Sequence, residues 1–251
     1  MSEENIFMKL IKNEKINSCL TDPLANLSVI GCFQIAEEAV TELMGMLKID
    51  GITVKKLFNA VWVFYKSKLK LLKNISWNEQ CTVVGFISKI TRISIDIDVE
   101  IRNEINELCM YFRVQLCALD IETGKILRVS AIGVDDSIST EDPEIDISFS
   151  KFDVENLPKI EQVKVKYTSI DFAGHTNNKE YIRFILNAYS VSELETNPIK
   201  EMDVVYVNQT YENDILTIHK STDMNNDIFL IEKDENIIFK CKIVRGDTRL
   251  N

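Results

Sequence analysis

The chain has 251 residues, 45% of them hydrophobic and 27% charged, and a formal net charge of -10 at pH 7, which fits one large globular domain or two of about 125 residues. The negative charge argues against nucleic-acid binding, because phosphate contacts need clustered Lys and Arg. No apolar run reaches the ~18 residues of a membrane span, and the start Met-Ser-Glu-Glu-Asn is unlike a signal peptide, so we expect a cytoplasmic protein that binds no membrane.

The first half of the sequence predicts one helix followed by strands. A weak alternation at 14–20 predicts a strand before the turn signal Asp22-Pro23. Apolar residues at spacings of three and four predict a helix over 28–47 that ends at Asp50-Gly51 and carries Glu37 on its polar side. A period of two then predicts five strands, at 61–71, 81–90, 93–101, 107–120 and 125–134, the last two joined by a hairpin turn.

The second half repeats this order of elements. Residues 136–161 are acidic and without a sustained period, so we interpret them as a connection between halves. A strand at 162–169, a loop and a helix follow, and then four strands at 203–211, 215–222, 228–233 and 236–244. We therefore predict an N-terminal domain at 1–140, an acidic linker at 141–161 and a C-terminal domain at 162–251.

The helix of the second half has a well-marked start. Asn177 is a good N-cap, and Glu180 three residues later suggests a capping box. Ile182, Ile185 and Tyr189 then continue an apolar stripe at helical spacing. We expect a buried helix that begins at the double asparagine 177–178.

The residues before this helix have the chemistry of an anion-stabilising site. Gly174 keeps the loop tight, and Asp171 and His175 stand close to the helix start. Free backbone N–H groups and the positive end of the helix dipole would stabilise a developing oxyanion there. We favour a functional His175 over a loop histidine that only satisfies a backbone carbonyl.

The pattern D-x-x-G-H-x-N-N-x-x-Y at 171–181 resembles the signature of hot-dog-fold thioesterases, in which an antiparallel sheet wraps a long helix. Nearly the whole chain is similar to acyl-ACP thioesterases, through the helix start at 33–37, the strand at 60–63 and the hairpin at 119–125. The resemblance implies an α+β fold of two tandem hot-dog domains. It also implies hydrolysis of fatty acyl-ACP to free fatty acid and carrier protein in fatty acid biosynthesis, with no cofactor.

The resemblance also suggests roles for individual residues. It implies Asp171 and His175 as catalytic groups. Two family positions differ, because Ala173 stands where the family has Asn and Gln209 where it has the catalytic Glu. The site residues are therefore predicted as catalytic Asp171, His175 and Gln209, with Gly174, Asn177 and Asn178 binding the substrate.

These departures leave several interpretations open. Gln209 cannot accept a proton at neutral pH, so the base would be Asp171 with His175, or Glu212 or Asp203 if the strand register differs. Slow hydrolysis, an acyl-CoA thioesterase and a non-catalytic acyl-binding relative remain alternatives. The resemblance allows either a monomer or a homodimer.

Other polar residues carry less specific signals. The six cysteines form no C-x-x-C pair, so we expect free thiols and no metal site. His219 is interpreted as structural and Asp22 as a turn residue in a degenerate first loop. Lys66, Lys68, Lys70 and Lys73 are expected to be a solvated edge-strand face, with docking of the acidic carrier protein as the alternative.

Overall fold

The computed structural model describes residues 8–134 and 138–246. Its ten strands form one antiparallel sheet in the order β1-β3-β4-β5-β2-β7-β10-β9-β8-β6. The strands are β1 Leu10–Lys15, β2 Ala60–Leu71, β3 Gln80–Ile90, β4 Ser94–Asn103, β5 Leu108–Asp120, β6 Lys159–Lys164, β7 Ile199–Tyr206, β8 Ile215–Asp223, β9 Asn226–Lys233 and β10 Asn236–Arg245. The helices are α1 Val29–Met46, α2 Gly51–Phe58, α3 Asn178–Leu186 and α4 Val191–Thr196.

The two halves of the chain meet at a seam in the middle of the sheet. There β2 pairs with β7, from Lys66 opposite Val205 to Lys70 opposite Glu201. Five strands from the first half lie on one side of this seam, and five from the second half lie on the other. Because α1 and α3 pack against each other, the helical layer also joins the halves. The predicted α+β class of two tandem hot dogs is confirmed.

The core fills the space between the helices and the inner face of the sheet. On α1, Phe33 is fully buried and packs edge-on against Phe112 of β5, with ring centroids 5.3 Å apart. On α3, Tyr181 stacks on Phe239 of β10 at 5.6 Å. Burial of such aromatic side chains contributes most strongly to a core of this kind. Both helices are therefore fixed to the sheet by apolar contacts.

A connecting strap, residues 138–158, packs on the outer face of the sheet, which is the face opposite the helices. Ile147 of the strap is buried with Phe86 and Tyr111 in a second, smaller apolar cluster. The backbone N–H of Ser150 donates to Oδ1 of Asp203 at 2.9 Å. The predicted connection is therefore an ordered strap that packs on both halves, although its expected start at 136–137 lies outside the described residues. The domain boundaries at 140 and 162 stay predictions.

Most predicted elements occur, but two predicted strands are wrong. The first strand is Leu10–Lys15, and Ser18–Leu20 forms a short 3-10 turn because the side chain of Asn17 accepts the N–H of Cys19. The segment predicted as a strand at 125–134 instead contains the 3-10 turn Val129–Ile132. Ile126 forms only an isolated bridge to Leu119 of β5, and the buried side chains of Val129, Ile132 and Val134 come after it in the turn region. A short alternating pattern cannot distinguish these two outcomes.

The ends of the helices also differ from expectation. Asp50 does not end α1 but caps α2, because its carboxylate accepts the N–H groups of Ile52 and Thr53. Helix α3 ends at Leu186, before the predicted apolar stripe is complete. Ser190 then begins a further helix, α4, with a capping box that was not predicted. No helix within the described ranges has the length and apolar character to cross a membrane.

The lysine stripe, which consists of Lys66, Lys68, Lys70 and Lys73, does not lie on an edge strand. Strand β2 is central, and Lys68 is only 4% exposed. Its Nζ atom lies 3.1 Å from Asp203 and 3.4 Å from Glu201, and Lys70 also contacts Glu201. The expected solvated edge is therefore wrong. Because Lys68 and Lys70 are paired across the seam and Lys73 is paired with Glu107, these three charges give no support to docking of a carrier protein.

Candidate active site

The loop before α3 is a closed turn held by its own backbone. The N–H of Asp171 donates to the carbonyl of His175 at 3.0 Å, and the N–H of Gly174 donates to the carbonyl of Asp171 at 3.1 Å. Gly174 has a φ of 87°, in the left-handed region that favours glycine. This conformation explains why the sequence carries glycine at this position.

The turn brings the two predicted catalytic side chains together. Oδ2 of Asp171 lies 3.5 Å from Nδ1 of His175, and Oδ1 of Asp171 accepts the N–H of Ala173 at 2.8 Å. Both side chains are partly buried. This contact uses Nδ1 and leaves the second ring nitrogen, Nε2, outside the pair. Ala173 contributes only its backbone, as expected for a residue without a polar side chain.

The start of α3 confirms the predicted cap. The Asn177 side chain accepts the N–H of Lys179 at 3.0 Å. The capping box is wrong, because the N–H of Asn177 donates to the Ser169 carbonyl and Glu180 instead contacts Ser169 and Arg183.

One amide at this helix start is available to a substrate. Within residues 8–134 and 138–246, no group accepts the N–H of Asn178. Of the two asparagines predicted to bind substrate, Asn178 therefore offers a free donor. The N–H of Asn177 is already used in the turn.

Thr210, in the segment after β7, is hydrogen-bonded to the loop before α3. Its carbonyl accepts the N–H of Thr176 at 2.8 Å, and its hydroxyl lies 2.7 Å from that of Thr176 and 2.8 Å from that of Tyr181. Gln209 precedes Thr210 and therefore lies near this loop in space, but its side chain is exposed. Among the alternatives, Glu212 is also exposed, and Asp203 faces the strap on the outer side of the sheet.

The first half contains the same turn without the histidine. The N–H of Asp22 donates to the carbonyl of Asn26 at 2.8 Å, which matches the bond from Asp171 to His175. The Asp22 carboxylate accepts N–H groups of the turn, as predicted for a turn residue. Asn26 occupies the position that His175 has in the second half. The first-half turn therefore has the aspartate but not the histidine.

Sequence reasoning missed Glu37. It was expected on the polar side of α1, but its Oε2 atom lies 3.8 Å from Nζ of Lys179 at the start of α3. Burial raises the pKa of Glu37 to about 7, and the nearby Lys179 charge opposes this rise. No pattern in the sequence marks this residue, because its environment depends on how α1 packs against α3.

The remaining polar groups lie elsewhere. His219 contacts the Leu157 carbonyl at 3.0 Å and Glu232 at 3.0 Å, which fits a structural role. All six cysteines are free thiols. Across the described parts of the chain, no three His, Cys, Asp or Glu residues are grouped as metal ligands. A surface depression of about 420 Å³ near Lys9 and Arg102 contains no residue of the loop before α3.

Comparison with known families agrees with this geometry. The model of the acyl-ACP thioesterase N-terminal domain matches residues 24–134, and that of the C-terminal domain matches residues 154–247. The chain belongs to the acyl-ACP thioesterase family. The C-terminal match contains the loop with Asp171 and His175, and the N-terminal match contains Glu37.

Two solved acyl-ACP thioesterase structures share the fold. One from Bacteroides thetaiotaomicron is 18% identical, with a TM-score of 0.83 over 98% of this chain and 100% of the other. The 12:0-ACP thioesterase from Umbellularia californica is 14% identical, with a TM-score of 0.81 over 96% of this chain and 98% of the other. No curated protein sequence matches the chain significantly.

Proposed function

We propose that this protein hydrolyses fatty acyl-ACP at the loop before α3, releasing the fatty acid and the carrier protein. The observation that carries the proposal is the pairing of Asp171 with His175 beside the free N–H of Asn178. Thioester hydrolysis needs a donor aimed at the carbonyl oxygen and a group that handles protons. Both lie at the tip of one helix.

Each group has a defined task in this proposal. The Asn178 N–H donates to the thioester oxygen as it gains negative charge in the tetrahedral intermediate. Asp171 orients His175 through Nδ1, so that Nε2 can protonate the thiolate when the carbon–sulfur bond breaks. Gln209 would bind the substrate at the surface of the protein rather than act as a base. Its exposed side-chain amide can form hydrogen bonds but cannot take a proton.

The test is a thiol-release assay with acyl-ACP substrates of different chain length. His175→Ala and Asp171→Asn should lower kcat by roughly 10²–10⁴-fold, the usual effect of losing an acid–base group. Asn26→Ala changes the matching position of the incomplete loop and should leave activity unchanged. If the wild type releases thiol and the His175 and Asp171 variants match it, the assignment of the site is wrong.

Ala173 and the exposed Gln209 favour a second candidate, a non-catalytic acyl-binding protein. This function predicts fatty acid that co-purifies with the chain and no thiol release from any acyl-ACP. An acyl-CoA thioesterase would instead give a higher kcat/KM when the same acyl group is carried by CoA. One assay series with both carriers, ACP and CoA, therefore distinguishes the acyl-ACP thioesterase, the acyl-CoA thioesterase and the non-catalytic acyl-binding protein.

A further inference from the structure

Glu37 brings a carboxylate from the first half of the chain to the catalytic helix. Its contact, Lys179, follows the cap Asn177 by two residues and His175 by four. The side chain of Glu37 is 16% exposed. The seam therefore places an almost buried acid beside the end of α3 that carries the catalytic loop.

Three buried polar atoms at this seam have no partner at ordinary hydrogen-bond distance among the described residues, although Ser67 and Tyr206 lie close to each other. They are Oε1 of Glu37, Oγ of Ser67 and the hydroxyl of Tyr206. Ser67 on β2 is 1% exposed and Tyr206 on β7 is 9% exposed. Ser67 pairs with Val204, two residues before Tyr206 on the same inner face. Burial raises the pKa of Tyr206 well above its usual value, the Glu37 charge raises it further, and the adjacent Ser67 hydroxyl lowers it by hydrogen bonding.

Such a cluster is unfavourable unless something binds to it. A buried polar atom without a partner costs ~1–3 kcal/mol, and native proteins contain few of them. A water molecule needs two to four polar partners in a buried site. One carboxylate oxygen and two hydroxyl groups supply that number, with both acceptors and donors.

We propose that Glu37 is the general base of this thioesterase and that the hydroxyl groups of Ser67 and Tyr206 hold the water it activates. This inference rests on the proposed function at His175. It supplies the carboxylate that the chain lacks at Gln209. It also makes the seam between the halves a part of the active site.

The step balances with groups already described. Glu37 takes a proton from the water, and the water oxygen forms a bond to the thioester carbonyl carbon. The resulting oxyanion receives the hydrogen bond from the Asn178 N–H. When the intermediate collapses, the carbon–sulfur bond breaks with its electron pair on sulfur, and His175 protonates the thiolate. His175 enters the step protonated and regains a proton from solvent, to which Glu37 releases the proton it took from the water. No oxidant or reductant is needed.

The surroundings of Glu37 suit this role. Lys179 approaches Glu37 from α3, and the charge of Glu37 acts on the hydroxyl of Tyr206 on β7. Burial raises the pKa of Glu37 to about 7. A base whose pKa is close to the working pH is ionised often enough and still accepts a proton readily. Asp203 cannot replace it, because that carboxylate lies on the opposite face of the sheet.

The first test is Glu37→Gln, with Glu38→Gln as a matched control on the exposed side of the same helix. With the acyl-ACP that the wild type cleaves fastest, Glu37→Gln should lower kcat by about 10²–10⁴-fold and change KM little. It should also abolish the rise of kcat between pH 6 and 8, a range of about one unit around the Glu37 pKa. Glu38→Gln should behave as wild type, and Glu37→Asp should keep the pH-dependent rise.

A double-mutant cycle separates catalysis from structure. Tyr206→Phe should lower kcat by about tenfold in the wild-type background, the effect of one hydrogen bond, and should have no further effect in the Glu37→Gln background. Circular dichroism would verify that the variants are folded.

Two results would overturn the inference in different ways. An active wild type with unchanged kcat and pH profile in Glu37→Gln would reject Glu37 and leave the function at His175 intact. A wild type that cleaves no acyl-ACP would reject both proposals.

Discussion

Glu37 and Gln209 lie in opposite environments, and this difference decides which of them can move a proton. Gln209 is exposed and carries an amide that does not titrate. Glu37 is enclosed by α1, α3 and the seam, where burial raises the pKa of its carboxyl group. The chain can therefore have an amide at Gln209 and still hold a carboxylate at the start of α3, beside Lys179.

The raised pKa of Glu37 predicts a pH-dependent stability. Its pKa is 4.5 in the unfolded chain and about 7 in the folded protein, so the folded state binds more protons between these values. The contribution of Glu37 to the free energy of unfolding is therefore fully present below pH 4.5 and is lost as pH rises through 7. The shift corresponds to a loss of roughly 3 kcal/mol.

Glu37→Gln should remove this dependence. The variant should be more stable than wild type at pH 8, and the difference should shrink at acidic pH, where Glu37 is protonated and neutral like glutamine. Urea denaturation at several pH values measures both effects, with Glu38→Gln as control. A parallel pH dependence in wild type and Glu37→Gln would show that Glu37 does not titrate as described.

At the scale of elements, the sequence predicts what local pattern controls. The period of three and four in α1 and the alternation in β3, β4 and β5 reproduce the observed elements to within a few residues. The approach of Asp171 to His175 was also predictable, because a tight turn followed by a cap determines it locally. The break between α3 and α4 was missed because the apolar stripe continues across it.

Contacts between distant elements could not be predicted in this way. The position of Glu37 depends on α1 packing against α3, and the burial of Lys68 depends on β2 pairing with β7. Neither pairing leaves a signal in the spacing of residues along one element. The part of the site that crosses the seam was therefore found only in the folded chain.

At the scale of the whole molecule, one sheet with a strap on its outer face holds both halves together. Lys68 and Asp203 lie at the centre of this arrangement, with Nζ 3.1 Å from Oδ2, and Asp203 also accepts the N–H of Ser150 from the strap. The pair therefore links β2, β7 and the strap. Breaking a buried ion pair is costly because it leaves one charge without compensation.

Lys68→Met should accordingly lower the free energy of unfolding by about 3–5 kcal/mol, because it leaves Asp203 buried without its cation. The double variant Lys68→Met with Asp203→Leu should be less destabilised than the single one, since no isolated charge remains. Denaturation with urea measures both. A single variant as stable as wild type would mean that the pair does not hold the seam.

The central claim is that the thioester is cleaved at the tip of α3, between the loop of Asp171 and His175 and the seam at Glu37. The most direct measurement is a crystal structure of the protein with an acyl-ACP analogue whose thioester sulfur is replaced by an amide nitrogen. We predict the carbonyl oxygen at about 2.7–3.1 Å from the Asn178 nitrogen, with Nε2 of His175 beside the amide. A carbonyl bound away from this helix tip would contradict the account.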